Sequence, residues 1–286
     1  MVNSSLAGAV EKFSAITHSF TDQDLEREWK WGDYDEGVRF AFFRVYEDLR
    51  ELAARLAAER SVKGPAMTTA QYILAQYHAA YRDLQAVLLG ISTEDALREP
   101  GDEEWSLMTI LLHIVQAEKA FYIINHYAVE RARAKDQQPL EMPEETWSTY
   151  WDSDAFEEVK ENQSLSRLMA YYDELHWRVV HDFVGVQEDE LSTPTKFWEG
   201  EPMPVEFRLH RFDSHLRQHT VQVEKTLELL GLQPNEARRL LRLIYAALAE
   251  VEGTAIGALG FGMQRRDALA VRIANRADEV EAAVKR

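Results

Sequence analysis

Residues 207–224 read FRLHRFDSHLRQHTVQVE and make up most of one predicted helix. Three of the nine histidines of the chain fall in this stretch. His215 and His219 are four residues apart, which places their side chains on one helix face with their Cβ atoms about 5–6 Å apart. His210 precedes His215 by five residues and lies roughly 140° around the helix, on another face. The stretch therefore predicts a helix that presents one histidine pair.

This histidine pair has two interpretations. The simpler one is that both side chains are exposed or hydrogen-bonded and hold no metal. The other is a metal site that is still incomplete, because a catalytic transition metal usually takes about three protein ligands and keeps a position for water or substrate. A third ligand would then have to come from elsewhere in the chain, and with no cysteine it must be histidine or carboxylate.

The composition predicts an all-α fold. Hydrophobic residues make up 46% of the 286 residues, Gly and Pro number only 13 and 8, and apolar residues recur at spacings of three and four. We find no run of about 18 or more uncharged apolar residues and no basic and apolar leader, so we expect no membrane span, no secretory signal and a cytoplasmic location. The net charge of −17 argues against nucleic acid as a partner, because phosphates would be repelled.

The breaks in the pattern predict three segments. Residues 1–65 form an N-terminal helical extension that ends at Lys63-Gly64-Pro65, and residues 66–232 form a central bundle. Residues 233–286 form a C-terminal pair of helices that packs on the bundle or on a partner. The predicted helices span about 34–60, 68–90, 106–133, 165–185, the helix of His215 up to Gly231, 236–252 and 265–284.

His113 stands in the apolar half of the helix that Ser106 is predicted to cap. Ile110 and Ala117 share its helix face, so its imidazole should point into the bundle, where it needs a hydrogen-bond partner or a metal. Considered alone, a core histidine with a hydrogen-bond partner is the simpler interpretation. The alternative is that His113 supplies the missing third ligand.

Residues 135–162 are acidic and aromatic, with Trp147, Tyr150, Trp151 and Phe156. They are predicted to form an ordered excursion that either packs on the bundle as an apolar patch or covers a pocket as a lid. Packing is the favoured interpretation.

The central segment, about residues 66–232, resembles the DinB-like superfamily. The resemblance rests on Trp105-Ser106 at the start of the second helix, on His113 within it, and on HLRQHTVQ at residues 215–222 of the fourth. It implies a four-helix bundle with a long cross-over connection, in which His113, His215 and His219 bind a divalent metal. Gln222 adds to the match, and the two terminal segments are helices outside the usual family core. Because family bundles often pair, a homodimer is also implied.

The resemblance implies enzymes that act through a low-molecular-weight thiol such as mycothiol, bacillithiol or glutathione, and also metal-dependent hydrolases. Three neutral imidazoles would leave a metal electrophilic enough to lower the pKa of a bound thiol or water. Thiol-dependent transfer to a small-molecule substrate is the leading hypothesis and hydrolysis the second. A helical binding or assembly protein with structural histidines is the third. Zinc, nickel, manganese and iron would all accept such ligands.

Several polar side chains share the helix side of the predicted ligands: Gln116, Arg208, Arg211, Gln218 and Gln222. Of these, Gln116, Arg211 and Gln222 are the candidates for catalytic roles. An arginine beside the site could hold a substrate carboxylate or phosphate, or could simply pair with one of the many acidic residues. Glu118, five residues after His113, is a weaker candidate base because this spacing turns it off the ligand face.

Overall fold

Helices dominate the described part of the chain. The structure, a computed structural model, describes residues 5–135, 139–150 and 153–286. Within these ranges the helices are α1 Ser5–Thr17, α2 Asp22–Leu25, α3 Val38–Lys63, α4 Thr69–Val87, α5 Thr93–Leu97, α6 Leu107–Ala134, α7 Glu144–Tyr150, α8 Ser153–Asn162, α9 Leu165–Phe183, α10 Val205–Leu229, α11 Glu236–Gly253 and α12 Met263–Val284. Two short strands, β1 Pro194–Thr195 and β2 Met203–Pro204, pair antiparallel. The predicted all-α fold is confirmed.

Local capping explains where the long helices begin and end. The hydroxyl of Ser106 accepts a hydrogen bond from the backbone N–H of Thr109, so that α6 begins at Leu107. The side chain of Asn235 caps α11 in the same way. Gly231 has a φ of 72°, a left-handed conformation that glycine adopts without strain, and it ends α10. These boundaries follow from short sequence signals.

The chain divides into two units, and the division falls inside α4. One unit contains Met67–Tyr81 and Ile91–Leu232, and is called the bundle unit below. The other contains Met1–Ala66, Arg82–Gly90 and Gln233–Arg286, and is called the terminal unit.

The terminal unit joins both ends of the chain in one core. Helix α1 packs against α12, and α3 packs against α11. The rings of Phe13 and Phe42 meet edge to face with their centroids 5.1 Å apart. The buried guanidinium of Arg82 donates two hydrogen bonds of 2.8 Å to the carboxylate of Glu252. The segments 1–65 and 233–286, predicted separately from the sequence, thus contribute to a shared interior.

The bundle unit is built from α6, α9, α10 and the first part of α4. Helix α6 packs most extensively on α10 and also contacts α9. It is long and apolar enough to cross a membrane, but 67% of its most apolar window is buried inside the protein. Its apolar composition therefore goes with its burial against α10 and α9.

Helices α7 and α8 form most of the described part of the excursion between α6 and α9. The side chain of Phe156 is buried, and its ring lies 5.7 Å from that of Tyr171 on α9. The described part of this segment therefore packs on the bundle at Phe156. Trp151, which belongs to the predicted excursion, lies outside the described residues, and a lid function stays a prediction.

Candidate metal centre

Three imidazoles converge between α6 and α10. His113 lies in the second turn of α6, and His215 and His219 lie on one face of α10. The ring centroid of His113 is 5.3 Å from that of His215 and 4.6 Å from that of His219, and the latter two are 4.4 Å apart. One nitrogen from each ring lies within 4.8 Å of the others. The structure therefore places together the three side chains that were predicted as metal ligands.

Aromatic side chains surround this cluster. His215 and His219 are only 6% and 7% exposed, whereas His113 is more accessible. The ring of Phe121 packs edge-on against His215 with centroids 5.4 Å apart. The indole of Trp105, itself 43% exposed, packs edge-on against His113 at 5.3 Å. The cluster is therefore enclosed at His215 and accessible beside Trp105.

The electrostatic environment keeps His113 and His215 in the form that binds metals. Burial lowers the pKa of His215 to about 3, with further contributions from His219, His113 and the cationic Arg211. Burial and the proximity of His219 also lower the pKa of His113. Both rings are therefore neutral at pH 7, and each offers a nitrogen lone pair.

A hydrogen bond determines which nitrogen of His219 is able to bind a metal. Its Nδ1–H donates to Oε1 of Gln222 at 2.8 Å, which leaves the lone pair on Nε2. The Nδ1 atom of His215 is buried and has no hydrogen-bond partner among the described residues. A buried polar atom with neither a hydrogen bond nor a metal ion lowers the stability of the fold by about 1–3 kcal/mol. A divalent ion with three nitrogen ligands and an open position fits this donor set.

The other polar side chains on the two helices differ in exposure and in their contact with the histidine cluster. Gln222 orients His219, whereas Gln116 and Gln218 are exposed. His210 is also exposed, on a different face from the pair. Of the named candidates on these two helices, Gln222 thus has the clearest link to the cluster.

The two arginines before His215 differ in their partners. Arg208 is fully buried and donates to both carboxylate oxygens of Glu199, at 2.6 and 2.5 Å, and to Oγ1 of Thr195 at 2.9 Å. It therefore anchors the loop between β1 and β2 to α10. Arg211 is half-buried and donates to Oγ of Ser214 at 3.2 Å.

Glu118 is a core residue of the bundle unit. Its carboxyl group is fully buried and accepts hydrogen bonds from the hydroxyls of Tyr77, at 2.6 Å, and Tyr172, at 2.9 Å. Burial raises its pKa to about 8, although both tyrosine hydrogen bonds act in the opposite direction. Glu118 thus links α6 to α4 and α9.

A second histidine pair lies inside the bundle unit. Nδ1 of His78 and Nε2 of His176 are 2.9 Å apart, and both side chains are fully buried. His176 also stacks on Tyr81 with ring centroids 3.9 Å apart. The sequence offered no signal for this pair, because its members are distant in the chain and neither has a neighbour at ligand spacing.

The raised pKa of Glu118 predicts a pH dependence of stability. The group ionises near 4.5 when unfolded but near 8 in the fold, so its contribution to stability is complete below pH 4.5 and is lost as the pH rises through about 8. The lowered pKa of His215 acts oppositely and only below its ordinary 6.5. We expect Glu118→Gln to flatten the fall in urea midpoint between about pH 6.5 and pH 8, measured by circular dichroism.

Glu161→Gln, at an exposed position of α8, is the matched control and should keep the wild-type slope. A Glu118→Gln protein that loses stability with pH as steeply as wild type would show that this carboxyl is not responsible.

Sequence comparison agrees with the helical architecture and the histidine cluster. The family model of the DinB superfamily matches residues 76–223, which is just over half of the chain and includes His113, His215, His219 and Gln222. No curated protein and no solved structure matches the chain. On the strength of the family match, the chain belongs to the DinB superfamily.

Proposed function

We propose that this protein is a metal-dependent enzyme that transfers a low-molecular-weight thiol to a small electrophilic substrate. The observation that carries the proposal is the convergence of His113, His215 and His219, with one nitrogen of each ring within 4.8 Å of the others. Among the described residues, this group contains no carboxylate. The ligand set would therefore add no negative charge to the ion.

The three histidines would leave a bound ion with room for an anionic sulfur. A bound divalent metal lowers the pKa of a coordinated thiol or water and so supplies a nucleophile near neutral pH. Since the chain has no cysteine, the sulfur must come from a separate small molecule. The three imidazoles would hold the ion, and Gln222 would keep His219 in the required tautomer.

The enclosure of Glu118 favours thiol transfer over hydrolysis. A thiol that loses its proton on coordination needs no protein base, whereas attack by water is usually helped by one. His215 would use its lone pair to bind the metal and so could not act as a base, and Glu118 is enclosed by Tyr77 and Tyr172. In the transfer reaction the thiol proton leaves to solvent, the sulfur forms a bond to an electrophilic carbon, and the leaving group departs with its electron pair.

Hydrolysis stays the second candidate, since the same three imidazoles could activate water. A non-catalytic protein with structural histidines is the third. The two experiments below distinguish the three candidates.

The ligand assignment predicts that His219→Ala abolishes metal binding. The variant should retain less than about a tenth of an equivalent of metal, because two imidazoles are too few for a stable site of this kind. Helical content should persist, since alanine has a high helix propensity. Metal would be measured by mass spectrometry on untagged protein after supplementation with nickel, zinc and manganese, and helicity by circular dichroism.

His210→Ala is the matched control, because it removes an exposed histidine from the same helix. It should keep the wild-type metal content. Full occupancy in His219→Ala would refute the ligand assignment, and an empty wild-type protein would favour the non-catalytic candidate.

The thiol assignment predicts direct coordination of sulfur. Protein loaded with Co²⁺ should gain a thiolate-to-metal absorption band in the near ultraviolet when glutathione, bacillithiol or mycothiol is added, because a soft thiolate ligand binds such a metal well. S-methylglutathione, which cannot form a thiolate, should give no band. If Co²⁺ binds but none of the three thiols changes the spectrum, the transfer reaction is wrong and hydrolysis becomes the leading candidate.

A further inference from the structure

Arg211 lies one helical turn before His215 and on the same side of α10. Its guanidinium carbon is 5.8 Å from the centre of the Phe121 ring. The same ring packs edge-on against His215, with centroids 5.4 Å apart. The arginine and a candidate ligand therefore lie against one aromatic side chain.

The charge of Arg211 has no carboxylate partner within ion-pair distance among the described residues, where its hydrogen bond is to Oγ of Ser214. Its neighbours on α10 differ, because Arg208 pairs with Glu199 and Arg217 pairs with Asp213. The positive charge of Arg211 also helps to lower the pKa of Glu199. Both oxygens of that carboxylate, however, already accept hydrogen bonds from Arg208. A half-buried guanidinium is thus left with unused donors beside the candidate centre.

The charge balance of the centre favours an anionic substrate. Three imidazole ligands bring no negative charge to cancel that of a divalent ion, and Arg211 adds one more positive charge nearby. A thiolate would cancel only one of these charges. A carboxylate on the second reactant would cancel another, and the planar fork of arginine matches it with two parallel hydrogen bonds.

The side chains around the centre indicate the chemical nature of the rest of the substrate. Trp105 packs beside His113 and is 43% exposed. Trp198 lies 6.0 Å from Phe121, centroid to centroid, and is 63% exposed. These two accessible indoles, one against His113 and the other against Phe121, would pack against an apolar or aromatic body.

Building on the proposed function, we propose that Arg211 binds the carboxylate of the electrophilic substrate and thereby selects carboxylate-bearing small molecules with an apolar body. Arg211 is then a specificity-determining residue, and the metal-binding histidines do not depend on it. The substrate carboxylate lies at the guanidinium while its electrophilic carbon faces the open side of the centre.

The test uses benzoate and benzamide as probes, because they share a shape and differ in charge. Titration calorimetry on zinc-loaded wild type should show benzoate binding at least about 10-fold more tightly than benzamide, and Arg211→Gln should lower this preference while zinc content stays unchanged. Arg211→Lys, which keeps the charge but loses the fork, should be intermediate. Arg217→Gln, at an exposed arginine of the same helix, should behave as wild type.

The same titrations on metal-free protein separate this inference from the proposed function. If wild type binds no zinc, the enzyme proposal fails, yet Arg211 should still give benzoate an advantage that Arg211→Gln loses. No preference for benzoate in wild type would overturn the inference. An equal preference in Arg211→Gln would also overturn it, since the carboxylate would then be bound by another group.

Discussion

The register in which α6 packs against α10 is the constraint on which the candidate centre depends. His215 and His219 share a face through their spacing alone, but His113 can join them only if the two helices meet in one alignment. A shift of one residue would rotate the side chains by about 100° and remove His113 from the cluster. The ring of Phe121 holds this alignment, because it packs at once on Phe212, with centroids 5.8 Å apart, and on His215.

Buried polar contacts fix the rotation of α6 from its other side. Glu118 must find partners in the core, since an unsatisfied buried carboxyl group is costly. Those partners are hydroxyls from two different helices, Tyr77 on α4 and Tyr172 on α9. A small rotation of α6 would break one or both hydrogen bonds. Helix α6 thus makes an apolar contact with α10 and a polar contact with α4 and α9. Together these contacts fix the position of His113 in the histidine cluster.

Local signals in the sequence were sufficient for most of the helical framework. The hydroxyl of Ser106 and the left-handed Gly231 act within a few residues, so the start of α6 and the end of α10 could be predicted directly. The pairing of His215 with His219 follows from helical spacing. The place of His113 in the cluster required its apolar surroundings together with the family resemblance, because spacing carries no information between helices.

Contacts between residues distant in the chain could not be predicted from local patterns. The spacing of Glu118 showed only that it leaves the ligand face, and its tyrosine partners come from two other helices. The ion pair between Arg82 and Glu252 lies in a core shared by both ends of the chain, and no periodic pattern indicates such a pairing. For Arg208 the sequence left two interpretations open, and the structure shows a buried pair with Glu199.

We propose that three imidazoles hold one metal ion, and X-ray absorption spectroscopy of the zinc-loaded protein would identify the ligands of that ion. We expect three imidazole nitrogens at about 2.0–2.1 Å, with the multiple-scattering pattern of histidine rings, and one further light ligand or sulfur. A metal bound by fewer than three imidazoles, or by carboxylate and water oxygens alone, would refute the assignment of His113, His215 and His219.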